Sequence, residues 1–149
     1  MMPSQTGDSI LNMRFPAISI TQIGVITTHA DRTSLEVGRV KMLRRGWYDG
    51  MLIVDSEGRA FRVTYATHLG GYGPLLGFSL TYSRRIRLGL ELKAEGTLDL
   101  ADMKDAICKA MQRDPHMWEA DISENGVLGW QAKVQQATNI TEIIKLLTV

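Results

Sequence analysis

Between Arg59 and Lys93 the chain repeatedly alternates apolar with polar residues, and a period of two restricts such segments to half-buried β-sheet. Phe61, Val63 and Tyr65 fall on one side of an extended strand, with Arg62 and Thr64 on the other. Leu76, Phe78, Leu80 and Tyr82 repeat the pattern, and so do Ile86, Leu88, Leu90 and Leu92 with Arg87, Gly89 and Glu91 facing outwards. A sheet with one dry and one wet face is the antiparallel kind.

After Glu95-Gly96 the period changes. Asp99, with Asp102 three residues on, has the spacing of a helix N-terminus, where acids are favoured. Met103, Ala106, Ile107, Ala110 and Met111 then form a stripe one helix face wide, which Asp114-Pro115 ends. Val127–Ala137 reads as a second helix, and Ile140–Leu147, capped by Thr138 or Asn139, as a third.

The N-terminal part carries weaker signals. Residues 1–14 read as a flexible lead-in. Ile18, Ile20, Ile23 and Val25 read as one β-segment whose alternation slips at Thr21-Gln22, which calls for a bulge or a break. Thr33-Ser34-Leu35-Glu36 has capping-box spacing, and Leu35, Val40, Met42 and Leu43 continue it as one helix closed by Gly46. Gly38 within that helix points to close packing of another backbone. Met51–Val54, the turn Asp55-Ser56-Glu57-Gly58 and Arg59–Ala66 form a hairpin. The resulting expectation is a single α+β domain over residues 15–149. It has a mainly antiparallel sheet of about five strands, one N-terminal helix and a C-terminal group of about three helices packed on one face, all around one interior.

A length of 149 residues suffices for such a core without metal or disulfide. The single cysteine, Cys108, rules out an intramolecular disulfide and suits a reducing compartment; with no apolar run of signal-peptide or spanning length, cytoplasm is the expected location. The net charge of +1 conceals an asymmetry. Residues 1–93 hold 12 Lys and Arg against 7 Asp and Glu, and residues 94–149 hold 5 against 9, a bipolar pattern able to orient a partner.

Few residues are arranged for chemistry. His29, His68, His116 and Cys108 stand singly, without CxxC, HxH or HExxH, so neither a metal nor a cofactor is expected. There is no GxSxG elbow, and Cys108 lies beside an apolar helical stripe, where cysteine behaves as a small hydrophobe. The glycine-rich segment His68-Leu69-Gly70-Gly71-Tyr72-Gly73-Pro74 lets a backbone approach a ligand closely, but it leads into a strand rather than into the helix N-terminus that a phosphate cradle needs.

Three functional readings follow. The first is a non-enzymatic protein–protein interaction module, such as a bacterial toxin-neutralising or adaptor protein. It would bind an unknown protein through Arg44, Arg45, Trp47, Tyr48 and Trp118, residue types that dominate interface energetics. The second is a small-molecule binder or small enzyme using His68, Gly70, Gly71, Tyr72 and Gly73, with Arg62 or Arg84 holding an anion. The third is nucleic-acid binding through the arginine clusters, which a nearly neutral chain without module signatures does not favour. The Ile86–Leu92 strand, if it lay at a sheet edge, could pair with its twin in a homodimer.

Overall fold

In the computed structural model, which describes residues 13–72, 85–113 and 126–148, β1 (Ala17–Ile20) and β2 (Ile26–His29) form a tight hairpin. The slip at Thr21-Gln22 is a full reversal of the chain. Thr21 and Val25 close the turn, the Thr21 hydroxyl accepts the Val25 amide at 2.9 Å, and Gly24 takes the left-handed backbone with φ 96°. One expected strand is therefore two. Met13 is buried, and Arg14 is tied down by its amide to Asp55 and by its carbonyl to Ser56.

The expected N-terminal helix also divides. Asp31, rather than Thr33, caps a single turn, α1 (Arg32–Leu35), by accepting the Ser34 amide. A short strand, β3 (Val37–Arg39), interrupts before α2 (Val40–Arg44). Gly38 permits the pairing of β3 with β6: a side chain there would collide with the Tyr48 phenol and the Leu88 side chain. The close neighbours are thus side chains, not another backbone.

The hairpin of β4 (Leu52–Val54) and β5 (Arg59–Gly71) stands as expected around the Asp55–Gly58 turn, where Gly58 has φ 84°. β5 runs on through His68, Gly70 and Gly71, so the glycine-rich segment begins as strand rather than loop. A register shift between Val63 and Tyr65 turns Tyr65 outwards, 55% exposed, and Ala66 inwards. β6 (Arg85–Thr97) buries Ile86, Leu88, Leu90 and Leu92 as the alternation required. The strand anticipated at Leu76–Tyr82 lies outside the described residues.

All six described strands pair antiparallel in the order β2-β1-β4-β5-β6-β3. Among the described residues the outer strands of that order are β2 and β3, and β3 pairs with β6 only at Arg85–Arg87.

The apolar interior is split into two layers by this sheet. Ile18, Ile20, Ile26 and Val54 face α3 (Leu100–Arg113), α4 (Gly126–Gln136) and α5 (Ile140–Leu147), whose Met103, Ile107, Met111, Val134, Ile143 and Ile144 cover them. On the other face Ala17, Ile53, Phe61, Val63 and the β6 row pack with Leu35, Val40, Leu43 and Tyr48. β1 and β4 are covered on both sides, and one common interior is replaced by two. Asn139 caps α5, while Glu142 bonds back to the amide and hydroxyl of Thr138, which hold its carboxyl below the usual range. No helix among the described residues is long and apolar enough to cross a membrane.

Candidate functional site

The β1–β2 hairpin has an apolar face and a polar one. With Ile18, Ile20 and Ile26 turned towards the helices, the same alternation turns Ser19, Thr27 and His29 to the other side. Ser19 stands opposite Thr27, and Ala17 opposite His29. On a flat sheet that polar face would be wet. Here the sheet curls, and Ser19 and His29 are only 3% and 7% exposed.

The curl brings together strands from opposite ends of the strand order. Ser19, Thr27 and His29 of the first hairpin and Val37, Gly38 and Arg39 of β3 line the same open cavity, of about 280 Å³. α1 carries the chain from one sheet edge to the other. Leu35, Met42, Met51, Trp47 and Tyr48 supply the apolar wall, and Arg85 of β6 completes the lining. The Tyr48 hydroxyl accepts the Arg39 amide at 2.9 Å, which locks the ring against β3; burial pushes this phenol's pKa up, so it stays protonated.

From the cavity wall outwards to the exposed Ser34 the polar groups form a chain. Ser19 Oγ lies 2.8 Å from His29 Nε2, and His29 Nδ1 lies 3.2 Å from Ser34 Oγ. Ser19 has one hydroxyl hydrogen, and Nε2 is much closer to it than the Thr27 carbonyl, which is 3.5 Å away. The matching tautomer carries its hydrogen on Nδ1 and accepts from Ser19 on Nε2.

Burial lowers the His29 pKa from 6.5 to about 4, outweighing a hydrogen bond to the Ser34 backbone and the Asp31 charge, both of which act to raise it. The imidazole is therefore neutral at physiological pH. A nucleophile next to a base oriented by a third group is the arrangement of covalent catalysis. In this cavity, however, the third group is a neutral hydroxyl and the imidazolium is disfavoured by desolvation. The Ser19–His29 pair is better suited to binding a polar group than to taking a proton from the serine.

This burial predicts a pH dependence. In the unfolded chain the imidazole takes up its proton near pH 6.5, in the folded chain only near 4. Between those values the unfolded state binds more protons, so stability falls as pH falls. From pH 7.5 to pH 5 the expected loss is about 2 kcal/mol. Urea midpoints of the native protein and of His29→Asn at the two pH values check this, and an equal drop in both would refute it.

The structure divides the residues singled out in the sequence. Trp47 and Tyr48 line the cavity, half-buried, while Arg44 and Arg45 are exposed at the end of α2. His68 is exposed on β5, and Gly70 and Gly71 continue that strand. Tyr72 sits beyond it beneath the Arg85 guanidinium, 5.6 Å from ring centre, and shares a shallow indentation with Asp31, Thr33, Ser34 and Arg85. Gly73, Arg84 and Trp118 lie outside the described residues. Arg62 is held by Glu95 and by the Gly50 carbonyl, both at 3.0 Å. Burial raises the Cys108 thiol pKa, and its Sγ accepts from Gln135 on α4. Among the described residues no group of His, Cys, Asp or Glu could hold a metal ion.

Sequence reasoning missed Ser19, His29, Arg39 and Arg85 as one site. The signal present was the polar row Ser19, Thr27, His29 opposite the isoleucines; the missing fact was that this row faces inwards.

Fold and site together define an α+β domain with a curled antiparallel sheet that holds a cavity between its two edges. Compared with family models, curated proteins and solved structures, the chain matches none.

Proposed function

We propose that this chain is a small-ligand-binding domain whose ligand occupies the cavity between β2 and β3. The observation that carries the reading is the Ser19–His29 pair, buried in the wall of a mostly apolar cavity that remains open to solvent. Mostly apolar concave surfaces with a few placed polar groups are the usual form of small-molecule sites. At about 30 Å³ per water, the space equals roughly nine waters, enough for a ligand of about ten non-hydrogen atoms. A reducing setting such as the cytoplasm belongs to the same proposal, since the lone Cys108 forms no disulfide within the chain.

The test is calorimetric titration with 1-octanol, an uncharged amphiphile of suitable size. The native protein is expected to bind it saturably. The double variant Val25→Phe/Thr27→Phe, which narrows the cavity from the β2 side, should bind at least tenfold more weakly while melting cooperatively. Equal binding by a folded double variant would place the alcohol elsewhere and remove the proposal.

One observation supports the alternative, a protein-interaction module: Arg44 and Arg45 project into solvent beside the half-buried Trp47. Reversing both charges (Arg44→Glu/Arg45→Glu) should leave octanol binding unchanged if the cavity is the site. Loss of a protein partner without loss of octanol binding would favour the interaction reading.

A further inference from the structure

The hydroxyls of the cavity wall differ in what they still offer a ligand. That of Tyr48 is fully engaged, accepting the Arg39 amide and donating to Met42 Sδ at 3.5 Å. Thr21 Oγ1 already accepts the Val25 amide at the hairpin turn, and Thr27 is exposed. Among the described residues lining the cavity, Ser19 Oγ is the buried acceptor that remains.

Its chemistry is set by His29. Nδ1 faces Ser34, whose backbone forms a hydrogen bond that acts to raise the His29 pKa. A backbone group has that effect on an imidazole by accepting from it, so the ring hydrogen sits on Nδ1. Nε2 then accepts, and Ser19, 2.8 Å away, gives its single hydrogen to it. Towards the cavity Ser19 Oγ is left with lone pairs and no hydrogen, and acts as an acceptor alone.

Charge is disfavoured at this point. The burial that keeps His29 unprotonated opposes an ammonium beside it as well, and no Asp or Glu among the described lining residues would pair with one. A carboxylate at neutral pH has no hydrogen to donate. An amide N–H brings a carbonyl that must also be desolvated. An uncharged hydroxyl supplies the hydrogen with little else to strip of water, and Leu35, Met42 and Met51 suit an aliphatic body behind it.

We infer that the cavity takes a small aliphatic alcohol, its hydroxyl donating to Ser19 Oγ and its chain lying against Leu35, Met42 and Met51. This rests on the small-ligand reading and names the ligand class for the same site.

Calorimetry on the full chain at pH 7.5 with 1-octanol and its isomer 1-methoxyheptane separates the two claims, since the ether has the same atoms but can only accept. 1-Octanol should bind about tenfold more tightly, the effect of one net hydrogen bond. In Ser19→Cys, kept reduced, the thiol still donates to His29 but is a weak acceptor, so the preference should shrink to about threefold or less. The ether should bind this variant as it binds the native protein, which also shows that the variant folds. Equal affinity of the native protein for the two isomers would overturn the ligand class and leave the small-ligand reading standing. An undiminished preference in the folded variant would do the same. Binding of neither isomer would overturn both.

Discussion

Leu90→Asp is expected to leave the protein unfolded or insoluble at room temperature. Leu90 is 2% exposed, lies opposite Ala66 in the β5–β6 ladder and belongs to the layer enclosed by the curled sheet. Removing a buried leucine side chain costs about 2–5 kcal/mol, and placing a carboxylate there without a partner adds several more. The sum reaches the whole stability of a typical domain, about 5–15 kcal/mol. The adjacent Glu91 is exposed on the opposite face, so Glu91→Ala should change the melting temperature little. Circular dichroism melts of the two variants check the assignment. A cooperative melt of Leu90→Asp within a few degrees of the native protein would mean that the other face of β6 is the buried one.

Asp55→Ala is expected to produce the second-largest loss. The Asp55 side chain is wholly buried and accepts four hydrogen bonds, from the amides of Arg14, Glu57 and Arg59 and from the Arg59 guanidinium, at 2.9–3.1 Å. It therefore fastens the chain entering β1 to the β4–β5 turn. Alanine removes the acceptor from three amides and takes the carboxylate from a charge pair at the turn, where each unsatisfied group costs about 1–3 kcal/mol. A total of about 3–5 kcal/mol is expected, most of it from the three amides, because Arg59 is partly exposed and keeps Glu57 as a neighbour. Urea unfolding at pH 7 measures it. A shift of the midpoint equivalent to less than about 1 kcal/mol would show that Arg14 and Arg59 find other partners at little cost.

The features readable in the sequence are those determined within a few neighbouring residues. The Asp55–Gly58 turn, the buried row Ile86 to Leu92 and the stripe Met103 to Met111 on α3 all stand where the pattern put them. Asp99 accepts the Asp102 amide at the start of α3, as the spacing required. The failures share a different cause. Arg32 to Arg44 has helical spacing, yet Gly38 lets β3 pair with β6, a partner far along the chain, and the helix is cut in two. At Tyr65 a register shift moves one side chain from the inner face to solvent, and such a shift depends on the partner strand rather than on local alternation.

The site shows the same boundary most clearly. Trp47 and Tyr48 stand out in the sequence by residue type, and both line the cavity, but their exposed neighbours Arg44 and Arg45 do not. Ser19 and His29 gave no such signal, because a polar row on a hairpin is ordinarily the wet face. Only the curl, which brings β2 and β3 to one cavity, encloses that row.

By itself the sequence determined the α+β class, the antiparallel pairing of the β4–β5 hairpin and the capped C-terminal helices. Turn chemistry, capping and side-chain period act between residues a few positions apart. The tertiary structure alone decided that the interior is two layers on one sheet, that β3 pairs with the start of β6, and that a polar row faces a cavity. Those outcomes depend on strand pairings and packing between distant segments, whose energies no short stretch of the chain contains.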